Sequence, residues 1–112
     1  MTTIEIPLRT WNTANCRWHW AKRAKYAKQC RQAAFTSARA AGIRSAPDGR
    51  FTVRLVRIGK RRMDSDGLAI SFKGVRDGLA VAMGIDDGDE RIEWQYDQQI
   101  GKEYSVSITI GA

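Results

Sequence analysis

The chain has 112 residues, 43% of them apolar and 28% charged, with a formal net charge of +7, which is the size of one independently folding domain. No apolar run approaches the roughly 20 residues of a membrane-spanning helix, and the first residues lack an apolar signal-type core, so a cytoplasmic protein without membrane association is expected. Residues 1–63 hold fifteen Lys/Arg against two Asp/Glu and residues 64–112 four against ten, so the two parts carry +13 and −6. The surplus of cations points to a polyanionic partner, nucleic acid rather than a membrane surface, because the tryptophans and cations form no evident interfacial helix.

In chain order, residues 3–8 (TIEIPL) alternate and place Ile4 and Ile6 on one face of a strand. Pro7 near its end suits a sheet edge, because proline donates no ladder hydrogen bond. A polar and aromatic loop follows, with Asn12 and Asn15 as turn or helix-capping candidates. Residues 16–41 predict the longest helix. Tyr26, Cys30, Ala33, Ser37 and Ala41 recur at three- and four-residue steps as a stripe of mostly small side chains, and Gly42 supplies a stop. On one helix Cys16 and Cys30 lie about 21 Å apart, beyond the reach of a disulfide. With one histidine, His19, and no C-x-x-C pair, a structural zinc site is not expected. Lys22, Arg23, Lys25, Lys28 and Arg31 cover much of the remaining helix surface. They read either as an ordinary solvated face or, because few acids offset them, as a face that tracks phosphates. Trp11, Trp18 and Trp20 read either as core and interface residues or as stacking platforms for unpaired bases.

A reverse turn (SAPDGR) leads into a strand over 51–58, with Phe51, Val53 and Leu55 on one face and Arg54 on the other. Gly59 breaks it. Lys60, Arg61 and Arg62 follow and, with Lys22, Arg23 and Lys25, are the candidate DNA contacts. Residues 68–83 predict a second helix: Leu68, Phe72, Val75, Leu79 and Met83 form one continuous apolar stripe, and Lys73 and Asp77 lie four apart on another face. Alternation of Ile92, Trp94 and Tyr96, then of Tyr104, Val106, Ile108 and Ile110, predicts two final strands, with Gly101 in a connection suited to a hairpin. The expected fold is α+β, in the order β-α-β-α-β-β, with two main helices packed on a small mixed sheet.

The chemistry concentrates between Lys60 and Asp89. Asp64 and Asp66 stand just past a strand, and if the extended backbone continues both side chains point the same way. Two carboxylates about 4 Å apart repel by about 4 kcal/mol at an effective dielectric near 20. A hard divalent cation removes that penalty, and Mg2+ takes carboxylates, water and phosphate oxygens as ligands. A third carboxylate from the Asp86–Asp87 turn would complete such a site. A metal held there would orient a water nucleophile and stabilise charge on a phosphate, and Lys73 would neutralise the charge that develops. Each element also has a plain reading. The D-x-D pair occurs in ordinary turns, the Asp86–Asp89 run is too short for an EF-hand loop, and Lys73 with Asp77 makes a surface ion pair.

The order of these elements resembles the RusA family of Holliday junction resolvases. That family carries a D-x-D-N-L segment, a helical lysine, a D-[AG]-L step and a D-D pair. Here Asp64-Ser65-Asp66-Gly67-Leu68 matches the first part with Gly67 in place of the asparagine. Lys73 stands four residues before Asp77-Gly78-Leu79, and Asp86-Asp87 matches the final pair. The space between Asp66 and Lys73 is about three residues longer than in familiar members. The likeness of motif covers about 30 residues, and the element order extends it over most of the chain. The resemblance implies a Mg2+-dependent endodeoxyribonuclease, with Mn2+ as an alternative ion, that cuts four-way or other branched DNA. It implies metal binding by Asp64, Asp66 and Asp87 with help from Lys73, a homodimer, and a phage or prophage source. Two alternatives stay open: a branched-DNA-binding protein that has lost catalysis, favoured by Gly67, and a nuclease for flaps or other branches. Beside them stands a basic α+β domain whose acids only form turns.

Overall fold

The strand at residues 51–59 organises the core. Its alternate side chains Phe51, Val53 and Leu55 are buried on one face, while Arg54 on the other is exposed. In the computed structural model, which describes residues 1–111, the elements are β1 (Thr2–Ile6), α1 (Trp20–Ala40), β2 (Phe51–Gly59), α2 (Ser65–Ser71), α3 (Lys73–Met83), β3 (Ile92–Ile100) and β4 (Ser105–Gly111). One four-stranded sheet has the order β1-β4-β2-β3. β4 pairs antiparallel with both β1 and β2, and β3 pairs parallel with β2. The architecture is therefore α+β with a mixed sheet, as expected, and β1 is an edge strand that stops just before Pro7.

Two expectations about connectivity fail. β3 and β4 form no hairpin, because β2 lies between them in the sheet. A short Gly-containing connection gave that signal, yet it joins strands on either side of a third. The second helix is two helices. Phe72, at φ −91° and ψ −2°, ends α2 and begins α3. The apolar stripe survives this break, since Leu68, Phe72, Val75, Leu79 and Met83 are all buried. Periodicity reports which side faces the core, and a one-residue interruption that keeps the phase leaves it unchanged. Gly84, at φ +71°, closes α3 in the left-handed conformation that glycine adopts without a Cβ penalty.

The first helix is shorter than its pattern suggests. It begins at Trp20, with the His19 Nδ1 accepting the Ala21 N–H at 3.2 Å as the cap, so neither Asn12 nor Asn15 caps it. Cys16 lies in the preceding loop rather than on the helix, and both cysteines are free. The buried stripe is Cys30, Ala34 and Ala38, rotated from the one read in the sequence, with Ala41 exposed at the C-cap. Small residues on both helices explain how closely α1 packs on α3. A Cβ at Gly74 would come within 2.6 Å of the Cys30 Cβ, and one at Gly78 would strike the Arg31 carbonyl oxygen. The helices cover one face of the sheet, leaving Arg54 and Asp97 on the open face, where they pair at 2.7 Å.

A candidate acidic site along strand β3

Asp64 is extended (φ −67°, ψ 168°) and is the N-cap of α2; its Oδ1 accepts the Gly67 N–H at 2.7 Å. An aspartate at this position satisfies an amide that the helix itself leaves free. Asp66 lies in the first turn of the same helix. The backbone thus turns helical between the two acids, and the extended alternation that would align their side chains does not apply. Both are exposed.

The segment before Asp64 is tied to β3 and β2. The Met63 N–H donates to the Gln98 Oε1 at 2.8 Å, and Gln98 Nε2 donates to the Met63 carbonyl at 2.7 Å. One carboxamide therefore satisfies both polar groups of the residue adjoining Asp64. Arg57, only 6% exposed on the core side of β2, donates from Nη1 to the Arg61 carbonyl at 2.7 Å. Burial lowers the pKa of that guanidinium. These two contacts fix the turn carrying the exposed Lys60, Arg61 and Arg62.

The third acid is held by the same strand. Trp94 Nε1 donates to the Asp87 carbonyl at 2.9 Å, and the Asp87 carboxylate lies 3.6 Å from Arg76. The Arg76 guanidinium carbon is 4.9 Å from the centre of the Trp94 ring, and its Nε has no hydrogen-bond partner. Between the two anchors, Tyr96 packs on Phe72 with ring centres 5.5 Å apart. Trp94, Tyr96 and Gln98 are alternate residues on one face of β3, so they place the two acidic segments along a single strand, with anchors roughly 13 Å apart. Neighbouring Asp86 accepts the Gly88 N–H at 3.1 Å, and that bond holds its carboxyl below the usual carboxylate range.

Among the described residues, no three His, Cys, Asp or Glu side chains lie together as a metal-ligand set. Asp64, Asp66 and Asp87 are not gathered around one point. Their chemistry still suits a hard cation: all are carboxylates, and Asp64 engages one oxygen in its cap. Lys73 is exposed at the start of α3 and lies 3.6 Å from Asp77, so the plain ion-pair reading describes its contacts. Lys22, Arg23 and Lys25 are exposed on the first turns of α1. Gln98 and Arg76 were missed in the sequence, whereas Asn12, expected at a turn, forms one, its Oδ1 accepting the Ala14 N–H at 3.2 Å. Gln98 extends the Trp94–Tyr96 alternation by one step, a polar residue on an inward-facing row, and that was the available signal.

No protein-family model matches the chain. An uncharacterised protein of Xylella fastidiosa (strain Temecula1 / ATCC 700964) is 38% identical over 78 residues, covering 65% of this chain and 51% of that protein. The chain thus spans about half the length of the relative it matches.

Proposed function

We propose that the protein is a metal-dependent endodeoxyribonuclease of the RusA type that hydrolyses phosphodiesters in branched DNA. The observation that carries this reading is the common anchoring of both acidic segments on β3, through Gln98 to Met63 and through Trp94 to Asp87. The cationic turn 60–62 beside those segments, and the basic start of α1, supply the charge that a DNA partner requires.

In this reading Asp64, Asp66 and Asp87 would have to come together to hold Mg2+, or Mn2+ in its place. Such an ion would supply Lewis-acid stabilisation of the phosphate and a lowered pKa for a bound water. The chain's own residues do the rest. Gln98 and Arg57 keep the acidic turn in place, Lys60, Arg61 and Arg62 with Lys22, Arg23 and Lys25 neutralise phosphates, and Lys73 offers a mobile cation to the scissile group. Two copies of the chain, acting as a homodimer, would cut the two strands related by the twofold axis of a four-way junction. A phage or prophage protein working in a bacterial cytoplasm fits this role.

A second reading is favoured by the separation of the acids and by the ion pair that Arg76 makes with Asp87: a branched-DNA-binding protein without catalysis. The two are told apart by incubating a labelled four-way junction and a linear duplex with protein and Mg2+, beside Asp66→Asn. Symmetric nicking of the junction, absent in the variant, is expected. Tight binding of the junction with no cut in Mg2+ or Mn2+ would leave only the binding reading.

A further inference from the structure

The α1 face that opens towards α2 and α3 carries a feature that the acids do not explain. Trp20 is 69% exposed, the most exposed aromatic side chain among the described residues. Trp11 and Trp18, by contrast, are packed edge-on in a cluster with Tyr26, with ring centres 5.4 and 5.5 Å apart. Along the helix Trp20, Ala24, Ala27 and Arg31 follow at steps of four, three and four, which places them on one face. The last three line a cavity of about 630 Å³ between α1 and the α2–α3 pair.

Four cations also line that cavity: Arg23 and Arg31 from α1, Lys73 and Arg76 from α3. Asp77 is the acid among its lining residues. The floor is narrow and small-chained, because Gly74 lets α3 approach the Cys30 turn of α1 so closely. Ala69 and Ile70 of α2 form the end nearest the acids, and they stand three and four residues after Asp66, on its side of the helix. α1 and α3 run parallel, Gly74 facing Ala27 and Cys30 and Gly78 facing Arg31 and Ala34, so the start of α1 with its exposed indole lies at the same end as α2 and the acids. A groove with cationic walls that opens at that end onto an indole and an acidic segment has the makings of a single-strand site. Cations follow the phosphates there, and a base stacks on an aromatic face whatever its sequence. A base inside an intact duplex cannot offer that face, since its neighbours cover it.

We infer that this groove takes an unpaired DNA strand, with Trp20 stacking on a base and Arg23, Arg31, Lys73 and Arg76 along its phosphates. The inference rests on the reading of the protein as one that acts on DNA, and names which part of a branched substrate this face receives. Its occupant is a single-stranded arm or an unpaired stretch at the branch.

The test is fluorescence anisotropy without divalent metal, using a fluorescein-labelled oligothymidine about fifteen nucleotides long, which spans a site of this kind, and a blunt duplex with no unpaired base. The wild type is expected to bind the oligothymidine more tightly than the duplex. Trp20→Ala is expected to weaken oligothymidine binding about tenfold while leaving duplex binding unchanged. Arg31→Gln lowers the salt slope for the oligothymidine by about one. Both side chains are exposed, and thermal melting of each variant checks that the fold persists. Equal affinity for the two DNAs, or a Trp20→Ala variant that weakens both equally or neither, overturns the inference. A protein that nicks a four-way junction but shows no Trp20-dependent preference keeps the nuclease reading and loses this one. A protein with that preference and no nuclease activity does the reverse.

Discussion

The carboxamide of Gln98 closes both hydrogen bonds of Met63, at 2.8 and 2.7 Å, across 35 residues of sequence. Met63 directly precedes Asp64, so this contact sets where the acidic turn begins. A carboxylate at 98 would accept from the Met63 N–H but could not donate to its carbonyl. Gln98→Glu is therefore expected to cost about 1–3 kcal/mol, as a half-buried carbonyl loses its partner, with Gln98→Ala in the same range. If Gln98 positions Asp64 and Asp66, Gln98→Glu also raises the Mg2+ concentration for half-maximal cleavage at temperatures where the variant is fully folded. Urea unfolding beside a metal titration checks this. Lost stability with an unchanged metal midpoint would make Gln98 a purely structural residue.

In the proposed metal site, Arg76 would compete with a cation for Asp87. The two side chains lie 3.6 Å apart and are 27% and 30% exposed, so water screens the pair and its strength stays within about 1 kcal/mol. Any cation that binds Asp87 must displace or share that guanidinium. Arg76→Gln is expected to tighten Mg2+ binding up to about fivefold. Calorimetric titration of Mg2+ into the two proteins measures it. Weaker binding in the variant would mean that Arg76 orients Asp87 rather than competing for it.

Two weakly acidic groups of α1, the buried Cys30 thiol and the half-buried Tyr26 phenol, make stability fall at alkaline pH. Burial pushes the Cys30 thiol up, and burial pushes the Tyr26 phenol above its ordinary range. Each group holds its proton more tightly in the folded chain than in the unfolded one. The stabilisation is therefore complete below the unfolded values, about 8.5 for the thiol and 10 for the phenol, and is lost as pH rises from there. The melting temperature should decline from about pH 8.5 upward. Cys30→Ala should flatten the first part of that decline, whatever it does to stability at neutral pH. A Cys30→Ala curve parallel to wild type above pH 8.5 would rule the thiol out as the cause.

Alternation and stripes were legible in the sequence because they record which side of an element is buried. Phe51, Val53 and Leu55, the row from Leu68 to Met83, and Val106 with Ile108 all lie in the core. What a period does not encode is pairing and phase-preserving breaks. β4 crosses to the far side of β2, and Phe72 divides a helix without moving its apolar face. The acids themselves were visible as types and spacings. Their setting was not, because it depends on contacts such as Gln98 to Met63, between residues far apart in the chain. The Asp64 cap was missed for another reason: an aspartate two residues before another suggests a metal pair, while the same residue before a helix is the commonest kind of cap.

Gly67 decides how much room Asp64 has. A Cβ there would lie 2.6 Å from both Asp64 Oδ1 and Asn12 Nδ2. Both atoms end flexible side chains, so they would move rather than block the substitution. Replacing a helical glycine by alanine gains up to about 1 kcal/mol, while loss of the Asp64 cap costs about the same. Gly67→Ala is thus expected to leave stability within about 0.5 kcal/mol of wild type and yet lower junction cleavage, because the Asp64 carboxylate is turned from its place. Gly67→Asn, which restores the residue of RusA-type sequences, should lose cleavage for the same reason. Combined with Asn12→Gly, which clears the space, it should regain activity. Urea unfolding and junction nicking on the three variants decide it. A Gly67→Asn protein more active than wild type would mean that Asn12 and residue 67 do not compete for this space.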